Sequence, residues 1–171
     1  MVGTLPSDVA VFSALAEPGS LGRPFDVARQ LVAPDAEDPV AGALAAMSDA
    51  AARERVALVV EDVHWIDADS VALVDHVARQ PWPNLVILAT YRLSDLRRGA
   101  PGRDLVLRLD RRNEVEQFRL DRLDRNEVGA MMTAIAGRAV SSAAVEAVHR
   151  RSGGAVRRRG ADALHRPRRV Q

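Results

Sequence analysis

Val56–Ser70 reads VALVVEDVHWIDADS: five apolar residues run straight into Glu61 and Asp62, then His64 and Trp65, then Asp67 and Asp69. A short continuous apolar run rich in β-branched residues suits a strand covered on both faces, as in a parallel sheet. Leu85–Thr90, LVILAT, repeats that pattern. Between the two runs, Asp67 or Asp69 can cap a helix whose apolar residues Val71, Val74, Val77 and Ala78, with Leu73 beside them, recur at helical spacing. Pro81 and Pro83 then end it. Strand, helix, strand within about 35 residues is a βαβ crossover, and it predicts an α/β fold with a right-handed parallel sheet.

Working outward, Pro39–Glu54 (PVAGALAAMSDAAARE) is Ala-rich and predicts a helix leading into the first of these strands. Phe25–Val32 reads as a short helix stopped by Pro34. Residues 1–22 are ambiguous, since VAVF suits a strand and Ser13–Glu17 a helix. Downstream, Arg97–Arg103 (RRGAPGR) reads as a loop and Gln117–Leu120 alternates as a modest strand. Asp124 followed by Glu127 forms a capping-box start for a helix carrying Val128, Met131, Met132 and Ile135 on one face, and a last helix covers Ser142–Arg151. The methionines suit core filling better than a recognition groove. The expected division is an α/β core over 1–123, a helical extension over 124–152 and an Arg-rich, disordered tail over 153–171.

The chain has 171 residues, almost half of them apolar and only 4% aromatic, enough for one core packed by Ala, Val and Leu. It carries no uncharged apolar run of membrane-spanning length and no basic-then-apolar leader, so a cytoplasmic protein is expected. Without cysteine there is no disulfide framework, zinc ribbon or thiol nucleophile, and His64, His76, His149 and His165 have no metal-ligand spacing. All 24 basic residues are arginine. Residues 1–148 hold 16 Arg against 22 acids, net −6, and residues 149–171 hold 8 Arg against Asp162, net +7. The basic end lacks an aromatic to stack on a base, so direct nucleic-acid binding is not expected.

In open parallel sheets, ligands sit beyond the carboxyl ends of the strands. Glu61 and Asp62 follow directly on Val60 at such an end, and as neighbours on a strand they point to opposite faces. A carboxylate pair there suits Mg-nucleotide chemistry, one acid holding magnesium through water and the other orienting the attacking water. Arg92 follows the second strand and should emerge at the same edge, where a guanidinium can meet charge on a γ-phosphate, with Thr90 in hydrogen-bond reach. The competing reading is an ion-pair network that caps the strands. His64 is a further candidate for phosphate contact, against a packed histidine. Trp65 reads as an anchor for the turn, and Asp67 and Asp69 read as caps.

These residues resemble a known family. LVVEDVHWIDADS is similar to the Walker B segment of STAND-type P-loop ATPases, an AAA-like branch found in large LuxR-type transcriptional regulators and related bacterial signalling proteins, with Glu61 where Asp is more usual. LVILATYR resembles the sensor strand with its terminal arginine, which implies γ-phosphate sensing for Arg92. FRLDRLDRNEVGAMMTAIAGR resembles the strand and helix that follow, SSAAVEAVHRRSGG the next helix, and LGRPFDVARQLVAPD the segment before Walker B, so the resemblance covers roughly residues 9–154. It implies a partial P-loop NTPase-like sheet with ATP and Mg2+ as cofactors, catalytic and metal roles for Glu61 and Asp62, and cofactor contacts from Arg92, Thr90 and His64.

The family's phosphate loop, GxxxxGK[ST], requires a lysine, and this chain has none. Gly19 and Gly22 are followed by no helix with the needed hydroxyl, so the family's first strand, phosphate loop and first helix are expected to precede Met1. Beyond Gly154 the family pattern is replaced by AVRRRGADALHRPRRVQ, in which six of 17 residues are arginine, as a shifted reading frame would produce. The expected function is a truncated STAND-type ATPase module with weak ATP binding and negligible hydrolysis. The alternatives are a catalytically silent module that binds a protein partner through an exposed sheet edge, and a pseudogene product.

Overall fold

The computed structural model describes residues 8–112 and 115–155. They fall into two compact units, one ending at Val115 and the other beginning at Glu116. In the first, β1 (Val9–Leu15), β2 (Arg55–Glu61) and β3 (Leu85–Ala89) form a three-stranded sheet in the order β1-β2-β3, both pairs parallel. α1 (Asp26–Gln30) and α2 (Pro39–Ala51) connect β1 to β2, and α3 (Ala68–Arg79) connects β2 to β3. The expected βαβ crossover is therefore present, and VAVF resolves as strand.

Strand order equal to chain order has a geometric consequence. Right-handed crossovers that step the same way along a sheet all lie on one of its faces. The register puts Phe12, Ala14, Leu58, Val60, Leu85 and Ile87 on that face, where they pack with Val27, Met47, Val74 and Val77 from the helices. The other face carries Val9, Val11, Ser13, Leu15, Ala57, Val59, Val86 and Leu88, none of them in the core cluster. Val86 is 52% exposed and Leu88 47%. Ala57 at the centre of that face is nevertheless 1% exposed, so among the described residues the cover expected on both faces fails at β3 and not over the whole sheet. Burial explains the run in β2, but on β3 alternate residues remain in contact with solvent.

α2 begins at Pro39 with Asp38 as its cap, the carboxylate accepting from the Val40 and Ala41 amides at 3.0 Å. It ends at Ala51, short of Glu54. Residues 101–110, which the expected loop runs into, form α4 (Pro101–Asp110), with Pro101 at the first helical position, where its missing N–H costs nothing. Leu105, Val106 and Leu109 of α4 face the core. Asp75 of α3, its carboxylate largely buried, pairs with Arg79 one turn on and with Arg112 just past α4 at 3.4 Å, tying the two helices.

The second unit is a helical hairpin, α5 (Arg125–Ala136) and α6 (Ser142–Ser152). The capping box is present: Asp124 accepts from the Glu127 amide and Glu127 from the Asp124 amide, both at 2.8 Å. Gly137 and Gly153 end the two helices in the left-handed conformation that glycine tolerates. The Leu123 amide donates to the Gly154 carbonyl at 3.0 Å, and Arg122 donates to that of Gly153. This clasp draws residues 116–123 into the hairpin, so the division falls at Val115/Glu116 rather than after residue 123. Gly153 caps α6 and Gly154 follows it. Gln117–Leu120 is not a strand: among the described residues of its unit there is no strand for it to pair with, and Phe118 and Leu120 are exposed. The expectations for the tail beyond Ala155 lie outside the described residues.

Candidate functional site

The carboxyl ends of the three strands meet at Leu15, Glu61 and Ala89. Glu61 closes β2 and is half-buried. Asp62 leaves the strand in the left-handed conformation, φ 54° and ψ 44°, and opens a single tight turn at Val63–Trp65. Aspartate tolerates that conformation better than most residues, and strain of this kind concentrates where a loop must hold one shape.

The turn is latched to β3 by main-chain hydrogen bonds. The Asp62 amide donates to Thr90 Oγ1 at 3.1 Å, the Val63 amide to the Thr90 carbonyl at 2.8 Å, and the Thr90 amide to the Val60 carbonyl at 3.0 Å. The Arg92 amide donates to His64 Nδ1 at 3.4 Å. Glu61, Asp62, Thr90 and Arg92 therefore share one edge of the sheet, as expected. The Thr90 and Arg92 side chains are exposed, and that of Asp62 is 40% exposed.

His64 is turned inward, its side chain 1% exposed. Its Nδ1 lies 3.9 Å from Asp62 and its Nε2 3.7 Å from Asp95, and the ring packs against Trp65 at 5.3 Å. The imidazole thus braces the turn after β2 against the loop after β3. Of the two histidine readings, packing fits this burial. Asp95 had no signal in the sequence, since nothing there ties it to His64.

Asp67 is 3% exposed. Its Oδ1 accepts from the amides of Asp69 and Ser70, capping α3, and also from that of Phe25 at 3.1 Å. Its Oδ2 accepts from the Asp26 amide at 3.3 Å, and the Ser70 hydroxyl accepts from the Val27 amide at 3.1 Å. The start of α1, with Phe25 at φ 61°, is thus capped by side chains of α3. Asp67 is a structural cap serving two helices, in keeping with its reading as a capping residue.

α4 approaches closely as well. A Cβ on Gly102 would lie 2.1 Å from the Val63 carbonyl oxygen, so only glycine lets α4 meet this turn. At the end of β1 the Ala16 amide donates to the Glu61 carbonyl, and Ser20 donates to Asp26 at 2.6 Å. That third wall lies in the stretch the sequence left ambiguous or gave no role.

Chemically, two carboxylates on a latched strand end suit a hydrated magnesium ion, which takes one or two carboxylates and keeps most of its waters. Among the described residues no three His, Cys, Asp or Glu side chains converge as a metal site. Beyond the Arg92 guanidinium, these residues supply no cradle for a polyphosphate. The chain has no lysine, and the first amides of α1 and α3, which could cradle an anion, are taken by Asp67 and Ser70. A concavity of about 670 Å³ lies at the opposite end of the sheet between α2 and α3, beside Trp82. Its lining is mainly apolar, and it contains none of the residues above. Comparison of the chain with protein-family models, with curated proteins and with solved structures returned no match.

Proposed function

We propose that the edge formed by Glu61, Asp62, Thr90 and Arg92 is the magnesium-side half of a nucleotide site, in a fragment of a STAND-type, AAA-like ATPase module of a bacterial signalling or transcriptional regulator. The observation that carries this reading is the latch: β2 and β3 deliver two carboxylates and an arginine to one strand end, in a turn fixed by Thr90. Glu61 and Asp62 are the metal-side and water-orienting acids, and Arg92 meets phosphate charge. Thr90 serves first by holding Asp62.

A second feature supports it. The resemblance implies a further strand, phosphate loop and helix. A parallel strand beside β3 that returned to β1 by a right-handed crossover would step against the chain order, so its helix would cross the face opposite α1, α2 and α3. Among the described residues that face is apolar, and at β3 it is exposed, Val86 by 52% and Leu88 by 47%. With the anion cradle missing, the 171-residue chain binds ATP weakly and hydrolyses it negligibly.

Titration with a fluorescent ATP analogue tests the reading. Weak binding that requires magnesium and disappears in Glu61→Ala/Asp62→Ala is expected. Binding that survives both substitutions removes the site assignment. The second reading, a catalytically silent interaction module, is favoured by the outer edge of β3, which has no neighbour among the described residues, and for it the titration shows no magnesium-dependent binding to the intact chain.

A further inference from the structure

Among the described residues nothing guards the outer edge of β3. Edge strands of stable proteins carry a charge, a proline, a bulge or a cover, because their unpaired main-chain groups otherwise template another strand. Leu85–Thr90, LVILAT, has no charge and no proline, and β3 pairs in unbroken register with β2. Among the described residues β3 has no second neighbour.

The hydrogen-bond phase of that edge is fixed. The Asn84 carbonyl accepts from the Val56 amide, and Thr90 bonds to Val60 and Val63, so even-numbered residues of β3 face β2. By the period of two, the main-chain groups of Leu85, Ile87 and Ala89 point outward. We infer that β3 pairs antiparallel with β3 of a second copy of this chain, about a two-fold axis at Ile87.

That register satisfies three conditions together. Ile87 faces Ile87 of the second copy and Leu85 faces its Ala89, so every outward group meets an outward group in hydrogen-bonded pairs. Val86 stands opposite Leu88 of the second copy in the closer, non-hydrogen-bonded positions, joining on the face opposite α1, α2 and α3 two side chains that are each about half-exposed. The two Arg92 residues are sent to opposite ends, each towards the uncharged Pro81–Asn84 stretch of the other copy, whereas parallel pairing in register would set Arg92 against Arg92. A second copy meets all three conditions through its own sequence, with no other chain required. One short strand pair is a small interface, so the association is weak and concentration-dependent.

Sedimentation velocity over a concentration series should show the mass rising from one chain to two and no further. Leu88→Lys, which adds a charge on the exposed face, and Ala89→Pro, which removes an outward N–H without touching the β2 ladder, should each leave a monomer with unchanged circular dichroism. Register is read by cross-linking in this cysteine-free chain. Val86→Cys/Leu88→Cys should oxidise to a covalent dimer, because that pair sits at about 4.5 Å between Cα atoms. Either single variant should not, since like positions are roughly 8 Å apart, beyond disulfide reach. A chain that stays monomeric, a mass that grows past two, a dimer indifferent to both edge substitutions, or equal cross-linking by the single variants would each overturn the inference. None of these readouts involves nucleotide, so the pairing and the magnesium site stand or fall separately.

Discussion

Asp62 and Asp67 stand on the same loop, and the fold uses them in opposite ways. Asp67 is buried and its two oxygens accept four main-chain amides from two helices. Asp62 is held by its own main chain, through the amide it gives to Thr90, and its carboxylate is left 40% exposed at the strand end. Where the main chain does the holding, the carboxylate remains available for chemistry. Where the carboxylate does the holding, none remains. Acids crowded along a sequence can therefore be sorted by which part of the residue is engaged.

The sharpest way to break this contrast is Asp67→Ala. It removes a cap and leaves four amides of two helix starts without their acceptors in a site where the carboxylate is buried, and a loss of about 3 kcal/mol is expected. Urea unfolding, with the midpoint and slope compared, measures it. Asp67→Asn should recover most of the loss, because an amide oxygen in the Oδ1 position still accepts from Phe25, Asp69 and Ser70. If alanine and asparagine cost the same, the capping account is wrong.

Gly102→Ala comes next. The added methyl would press on the Val63 carbonyl, which is main chain and cannot rotate aside. About 2 kcal/mol of destabilisation is expected, again by urea unfolding. Because the displaced carbonyl lies in the turn that Asp62 opens, any magnesium-dependent ATP-analogue binding should weaken too. Unchanged stability would mean that α4 does not pack as closely as its glycine permits.

The sequence made some of this legible. The β2 and β3 runs, the crossover helix and the Asp124–Glu127 box each rest on local signals, namely short apolar runs, helical spacing and paired caps. The shared edge of Glu61 and Arg92 followed from parallel topology alone. α4 was hidden because Leu105, Leu107 and Leu109 alternate like a strand while Pro101 marks a helix start, and periodicity over so few residues does not decide between them. The trans-capping of α1 by Asp67 and Ser70, and the partnership of His64 with Asp95, were not legible, since residues far apart in sequence give no local sign of contact. The placing of both crossovers on one face of the sheet depends on strand order, which no single element encodes.

Asp62→Gly carries the smallest stability effect and tests the other half of the contrast. Glycine enters φ 54° without strain, so it relieves whatever cost aspartate bears there, while its greater freedom in the unfolded chain works the other way. A net change within about 0.5 kcal/mol is expected. Asp62→Ala lacks that relief and should cost about 1 kcal/mol. Both variants lose the carboxylate, so both should lose magnesium-dependent binding of the ATP analogue to the same extent despite their different stabilities. Parallel losses would separate the chemistry of Asp62 from its backbone. If binding followed stability instead, Asp62 would be a structural residue like Asp67, and the exposed carboxylate would have no claim on the metal.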